Sequence, residues 1–400
     1  MQRILGCTLF IIAFLMIPLS VAHDAATSPV AANTDRMITF PDTRRYKTLI
    51  LDPHTHSSFS DGHVWPRIRV EEALRDGLDA IAITEHLEWQ PHLQDIAHSD
   101  RNRAHQIAAL AAEEKPVMVI AGSEITRSDE AGHINALFIN DANKLLRPYI
   151  PEDPSDAVAY YTAMHGFPAQ AAVDAAAGQD AFMFWNHPWW GDDFPDSIPV
   201  ASDFHITNVK DGKIKGIEIA NGDYYSEEAF QIALDLDLTL IGSSDIHELI
   251  DWDYLPHEGG HRPVTIVLAK KRTASSLRAG LVAGRTLVWF KNTLIAREPQ
   301  MKEMLEASLS LTNARYESDN LLLTVQIENS SDVDFFVQNE GAFTFSHNTD
   351  SLSLPQHSTT TLVLKTAQRL KSLTLPLKVM NALIAPKQNA VLVLEGQVSR

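Results

Sequence analysis

The chain has a single cysteine, Cys7, in 400 residues. It lies in an N-terminal stretch expected to be cut away, so no disulfide can hold the mature fold together. Positive charge is scarce too: 33 Lys and Arg stand against 51 Asp and Glu, a formal net charge of −18. That argues against an undirected polyanion surface and against stable nucleic-acid binding. Bound cations would still make one pocket locally positive. There is no internal repeat, no low-complexity segment and no serine or cysteine nucleophile motif. Only the first residues, MQRILGCTLFIIAFLMIPLSVAHD, raise the question of a membrane span. Arg3 supplies a positive start, Leu9 to Leu19 an uncharged apolar core, and Ser20-Val21-Ala22 a small-x-small cleavage site. The apolar run is short for a span and no basic flank follows it. This reads as a Sec signal peptide over residues 1–22 cut after Ala22, with a periplasmic or secreted product and no membrane attachment after cleavage.

What is present is a large apolar content, 45% of residues, ample for one large α/β domain and a smaller one. Residues 23–36 are small and polar, as in a flexible leader. From Tyr46 to about Ala269, short apolar runs (TLILD, DAIAIT, VMVIAGSE, INALFI, AFMFWN, GIEIAN, LTLIGSS, VTIVLA) alternate with helical patterns. Apolar runs without alternation suit strands buried on both faces, as in a parallel sheet. Gly77 and Gly178 fall where C-terminal helix caps belong. Strand–helix repeats of this kind predict an α/β barrel or a doubly wound sheet. After GRTLVWFKN come one helical segment and then β-rich runs broken by turn residues. The expected division is a barrel over 37–299 and an antiparallel β-sandwich over 300–400.

Nine metal-type side chains recur along the first part, nearly all following an apolar run: His54, His56, Asp61, His86, Glu124, His133, His187, Asp245 and His247. His54 and His56 are two apart on an extended segment, so both point to one face. Asp245 and His247 repeat that spacing at the end of another run. A carboxylate such as Glu124 has lone pairs enough to bridge two ions. Asp61, in a Ser-Asp-Gly turn, also suits purely local hydrogen bonding. Gathering ligands from six strand ends is easier at the mouth of a closed barrel than in the crevice of an open sheet, so the barrel is the expected fold. The donor set accepts two or three divalent ions, whether manganese, zinc or iron.

The ordered series HTHxxxSDG, ITEH, Gly-Ser-Glu with a later GHxNAL, NHP and SSDIH, over about residues 48 to 290, resembles the PHP (polymerase and histidinol phosphatase) family. The resemblance implies a distorted seven-stranded (β/α) barrel with a trinuclear site. It also implies a partition: His54, His56, Glu124 and Asp245 on one ion, Glu124 with His133 and His187 on a second, and Asp61, His86 and His247 on a third. More narrowly, EHLEWQPHLQDI, HRPVTIVLAKKRT and AGRTLVWF look like exported PHP phosphodiesterases with a C-terminal β-domain. The expected reaction is phosphodiester hydrolysis of a small-molecule substrate through a metal-bridging hydroxide.

Asp245 and Glu124 are then the catalytic carboxylates, and His92 is a candidate proton donor or partner to a ligating imidazole. Arg101, Arg103, Arg127 and Arg262 are candidate phosphate contacts, and Trp185, Trp189 and Trp190 could wall an apolar substituent. His205, His257 and His261 stay ambiguous. A phosphomonoesterase, a carbamate or ester hydrolase on the same scaffold, and an exported metal-bearing binding protein are the competing readings.

Overall fold

The computed structural model describes residues 36–96, 98–146, 156–164, 166–190 and 196–399. The expected signal peptide over 1–22 and all of the 23–36 leader except Arg36 lie outside the described residues. The first eight strands are β1 (Lys47–Asp52), β2 (Ala80–Ile83), β3 (Met118–Ile125), β4 (Ile134–Leu137), β5 (Phe182–Trp185), β6 (Ile214–Asn221), β7 (Tyr224–Tyr225) and β8 (Thr239–Ser243). Helices α1 (Pro66–Arg75), α2 (Arg103–Ala111), α3 (Ala157–Met164), α4 (Ala169–Ala177), α5 (Asp203–Lys210) and α6 (Glu227–Asp235) connect them.

Local chemistry explains the helix ends. Pro66 opens α1, where its missing N–H costs nothing. Gly77, at φ +71°, closes the same helix, and Leu78 N donates to Ala73 O at 2.9 Å. Ser226 caps α6 by accepting from Ala229 N, with Glu227 and Glu228 in the first turn facing the helix dipole. Gly178 does end α4, but in a right-handed conformation; Asp180 takes the left-handed position two residues on.

Seven strands make the ring, in the order β1, β2, β3, β4, β5, β6, β8. One expectation is corrected: the run INALFI, as β4, lies antiparallel to both β3 and β5. Only residues 126–133 separate it from β3, too few for the crossover helix of about a dozen residues that a parallel return needs. The run VTIVLA, as β9 (Val264–Ala269), is antiparallel to β1 for a related reason. Between β8 and β9 stand only α7 (Ile250–Asp253), a short 3-10 turn (Pro256–Glu258) and loops, so β9 starts at the mouth and runs back down.

Closure is made by loops and side chains. Asp245 N donates to His54 O at 3.0 Å and His56 N to Ile246 O at 3.1 Å, joining the ends of β1 and β8 at the mouth. Lower down, Thr265 Oγ1 accepts from Gly242 N and donates to Gly242 O. Gly242 has to be glycine, because a Cβ there would meet Val288 Cγ1 at 2.3 Å. The ring therefore shuts tightly beside the residues that follow β8.

Beyond α8 (Ala274–Val282), strands β10 (Thr286–Phe290) and β11 (Thr293–Ala296) extend the sheet outwards from β9, and α9 (Glu298–Ser308) follows. The C-terminal strands are β12 (Leu309–Tyr316), β13 (Leu322–Asn329), β14 (Phe335–Asn339), β15 (Thr344–Phe345), β16 (Ser351–Leu354), β17 (Ser358–Lys365), β18 (Ser372–Ala385) and β19 (Gln388–Gln397). They form a sandwich. One sheet runs β12, β13, β17, β15; the other, β16, β14, β18 with β19, continues the barrel sheet because β18 pairs with β11. Alternating residues such as Val325, Ile327, Leu375 and Leu377 fill the space between them. The chain is thus a distorted (β/α)7 barrel followed by a small antiparallel β-sandwich.

Candidate metal centre

All nine metal-type side chains stand at one end of the ring. His54 and His56 follow β1, His86 follows β2, Glu124 lies near the end of β3, His187 follows β5, and Asp245 and His247 follow β8. His133 precedes β4 rather than following it, and the reversal of β4 is what brings that end to the mouth. Asp61 arrives from the loop into α1. Asp245 itself is left-handed at φ +51°, a conformation aspartate tolerates better than most residues.

The distances are short. His54 Nε2 and His56 Nε2 lie 2.9 Å apart, with Asp245 Oδ1 at 3.0 and 3.1 Å from them. Glu124 spans the cluster: its Oε2 is 3.5 Å from His54, 3.4 Å from His56 and 2.7 Å from His86. Its Oε1 is 2.8 Å from His133 and 3.5 Å from His187. Asp61 reaches His247 Nε2 at 3.1 Å with one oxygen and His86 Nε2 at 3.2 Å with the other. Three groupings have donors within 4.8 Å of one another: His56, Asp61, His86 and His247; His54, His56 and Asp245; and His86, Glu124 and His133. His56 and His86 each belong to two of these, so they sit between neighbouring groupings.

Cations fit this donor set. His54 Nδ1 is 2.9 Å from Glu218 Oε1 and His247 Nδ1 is 2.8 Å from Asp245 O. Each Nδ1 must donate, which leaves both Nε2 lone pairs aimed into the centre. Glu124 Oε2 and Asp61 Oδ1 are buried and accept no hydrogen bond. Burial pushes the carboxyls of Glu124 and Asp245 up, but the imidazoles around them (His86, His133 and His54; His54, His56 and His187) reverse this and hold both well below their ordinary values. Burial, with His247 and His86 nearby, drives His56 down to about 3. Burial also works against a charge on His54, His86, His187 and His247, but the carboxylates beside them, Asp245, Glu218, Glu124 and Asp61, hold all four above the ordinary imidazole value. A metal takes ionised carboxylates and neutral imidazoles, so it would displace those protons on binding.

Several residues that position the centre were not singled out from sequence. Glu218, fully buried in β6, accepts from Ser243 Oγ at 2.6 Å, from His187 N at 2.7 Å and from Asn221 Nδ2 at 2.9 Å, besides facing His54. Asn186 donates to Glu124 Oε1 at 2.9 Å. Arg69, buried on α1, donates to the carbonyls of His56, Ile246, His247 and Glu248, tying the β1 and β8 loops together. Glu85 is held under the same loop by Ser57 and Ser60. A glutamate inside the apolar run GIEIAN was the readable signal for Glu218, since an unpaired carboxylate is too costly to bury there. Glu218→Ala should weaken divalent-metal affinity by roughly 10- to 100-fold, measured by competition against a chelating dye. Unchanged affinity would deny it this orienting role.

The mouth opens into a cavity of about 880 Å³ walled by aromatics, among them Trp89, Tyr161, Trp189, Trp190 and Tyr224. Trp189 lines this cavity, whereas Trp185 lies in the barrel core, stacked on His205. The arginines do not reach the cavity. Arg262 is buried between Asp76 and Asp52, Arg127 pairs with Glu88 at 3.0 Å, and Arg101 bonds Tyr160. Arg103 is exposed at the first turn of α2. For Arg262 and Arg127, buried acids rather than nearness to a motif in sequence decided which way the guanidinium turned. His92 is half-buried with its ring 6.0 Å from that of His63, and does not line the cavity. Burial pushes His205 and His261 down to about 4, and His261 stacks on Trp289, so both are packing histidines. His257 pairs with Glu258 at the surface.

Among known proteins, a two-domain protein of Bacteroides vulgatus containing a predicted PHP-like metal-dependent phosphoesterase is 35% identical to this chain. Its crystal structure superposes with a TM-score of 0.79, covering 90% of this chain and 98% of that one. A protein from Bifidobacterium adolescentis, described as a metal-dependent phosphoesterase, is 18% identical, with a TM-score of 0.37 over 58% of this chain and 96% of its own. The model of a family described as an Ig-like domain matches residues 309–395. No curated protein matches significantly by sequence.

Proposed function

This chain belongs to the two-domain PHP-like metal-dependent phosphoesterases, and on that premise we propose that its substrates are phosphodiesters. The observation that carries the reading is the cavity around the nine converging groups: no Lys or Arg is among its described lining residues. A monoester brings nearly two negative charges and calls for basic contacts, while a diester brings one and needs room for a second substituent. An aromatic-walled space of about 880 Å³ supplies that room.

His54, His56, Asp61, His86, Glu124, His133, His187, Asp245 and His247 would hold two or three divalent ions, with manganese, zinc and iron all suited to mixed nitrogen and oxygen donors. Such ions supply Lewis-acid polarisation of the phosphoryl oxygens and a water activated near neutral pH. The chain's own groups do the rest. Glu218, Asn186 and Arg69 fix the rings, carboxylate and loops that meet at the mouth. Asp245 faces the cavity, its Oδ2 held 3.2 Å from Asn221 Nδ2, placed to take a proton from attacking water. Trp189 and Trp190 line one side of the cavity.

Export follows from the signal-like N-terminus; no helix among the described residues is long and apolar enough to cross a membrane. A functional boundary near residue 300 is supported by the Ig-like match, and the β11–β18 pairing supports a stabilising role for the sandwich. The test is a parallel assay of metal-loaded protein on bis(p-nitrophenyl) phosphate, p-nitrophenyl phosphate and an aryl carbamate. The diester should turn over fastest and lose its rate on chelation. Faster cleavage of the monoester or the carbamate would overturn the reading.

A further inference from the structure

Two aromatic walls stand beside the centre with no part in holding it. Trp190 comes first: its ring centroid is 5.0 Å from that of His133 and 5.6 Å from that of His187. Yet Trp190 is 61% exposed and belongs to no hydrophobic cluster of the described residues, unlike its neighbours Trp185 and Trp189. Leaving a large ring open to water forgoes burial worth far more than its contact with two imidazoles. On the His86 side, Trp89 meets Tyr161 edge-on at 5.6 Å, and both open onto the same cavity. Tyr224, 68% exposed, closes the side next to Asn221. The walls are thus flat and largely apolar, and they surround a centre whose other lining groups are imidazoles, carboxylates and small polar residues.

Distance narrows what they can hold. A ring stacked on Trp190 lies within one ester linkage of a phosphorus placed among His133, His187 and Asp245, because the indole touches the first two of those rings. A long aliphatic tail would need an apolar channel leading away, whereas a planar group needs a facing ring at this spacing. We infer that the substrate is a phosphodiester bearing an aromatic or heteroaromatic ring close to phosphorus, with Trp190 as its stacking platform. The identity of the linking group rests on the phosphodiester reading; the preference for a ring rests on the walls.

Binding separates the two. Calorimetric titration of the full-length, metal-loaded protein with diphenyl phosphate and with dimethyl phosphate compares the same anion with and without rings. Diphenyl phosphate should bind about tenfold tighter or more, the range of one ring stacked on an aromatic side chain. Trp190→Ala should bring the two affinities together. Trp252→Ala, which truncates a tryptophan 66% exposed and away from the cavity, should leave the gap in place. Equal affinities in the unaltered protein, a gap that survives Trp190→Ala, or no binding of either compound would overturn the inference. A ring preference without hydrolysis of any diester would keep this subsite and remove the phosphodiesterase reading. Hydrolysis of diesters with no ring preference would do the reverse.

Discussion

Glu124→Gln should cut phosphoester hydrolysis by roughly a thousandfold or more, the scale set by losing a charge-stabilising group in a closed site. The amide keeps the volume and one acceptor oxygen, so packing against β3 and β4 survives. What it loses is the negative charge that six imidazoles and two further carboxylates are arranged around. One Glu124 oxygen faces His54, His56 and His86, and the other faces His133 and His187. Asp245 also reaches across, from His54 and His56 to His187 at 3.8 Å, but Glu124 faces five of the imidazoles and Asp245 three, so substitution of Glu124 removes the wider link. The check is steady-state kinetics together with metal content on the same preparation. Near-normal rates with a full metal complement would show that the bridging assignment is wrong.

Arg262→Ala should act through stability instead, lowering the unfolding free energy by about 3 to 5 kcal/mol, as removing one partner of a buried ion network does. Arg262 is 1% exposed and bonds Asp76 at 2.5 Å and Asp52 at 3.1 Å. Burial works against the charge of Arg262, but Asp76 and Asp52 raise its pKa above the usual arginine value. Truncation would leave buried Asp52 without a cationic partner and Asp76 with Arg36 alone. Asp52 also accepts from Ser244 N and Oγ, one residue before Asp245, so the centre should loosen as the fold weakens. Urea denaturation measures the effect. A loss below about 1 kcal/mol, accompanied by a raised KM, would restore Arg262 as a substrate contact.

Why the metal centre could be read from sequence, and Arg262 could not, is a matter of periodicity and reach. His54, His56, Asp245 and His247 close apolar runs at a spacing of two, and a buried strand end has few reasons to carry such groups except to present them. The ring itself was legible from repeated strand–helix units. The reversal of β4 was not drawn from the sequence, although the short link over residues 126–133 already forbade a parallel return. Arg262 pairs with acids 186 and 210 positions away, a contact that exists only after closure of the ring. Asp52 and Glu218 were each visible as a carboxylate inside an apolar strand, TLILD and GIEIAN, and that cost should have marked them as partners of something buried. His92 drew attention by its place after a motif, yet its loop carries it to His63 rather than to the cavity. The aromatic walls come from four separate segments, and nothing local in sequence announces that Trp89 and Trp190 share one space.

Anomalous scattering from crystals equilibrated with manganese, with zinc in a parallel soak, tests the convergence of the nine groups most directly. Two or three peaks should appear among His54, His56, Asp61, His86, Glu124, His133, His187, Asp245 and His247, with Glu124 between two of them. Peaks confined to surface carboxylates, with none inside that ring of side chains, would contradict it.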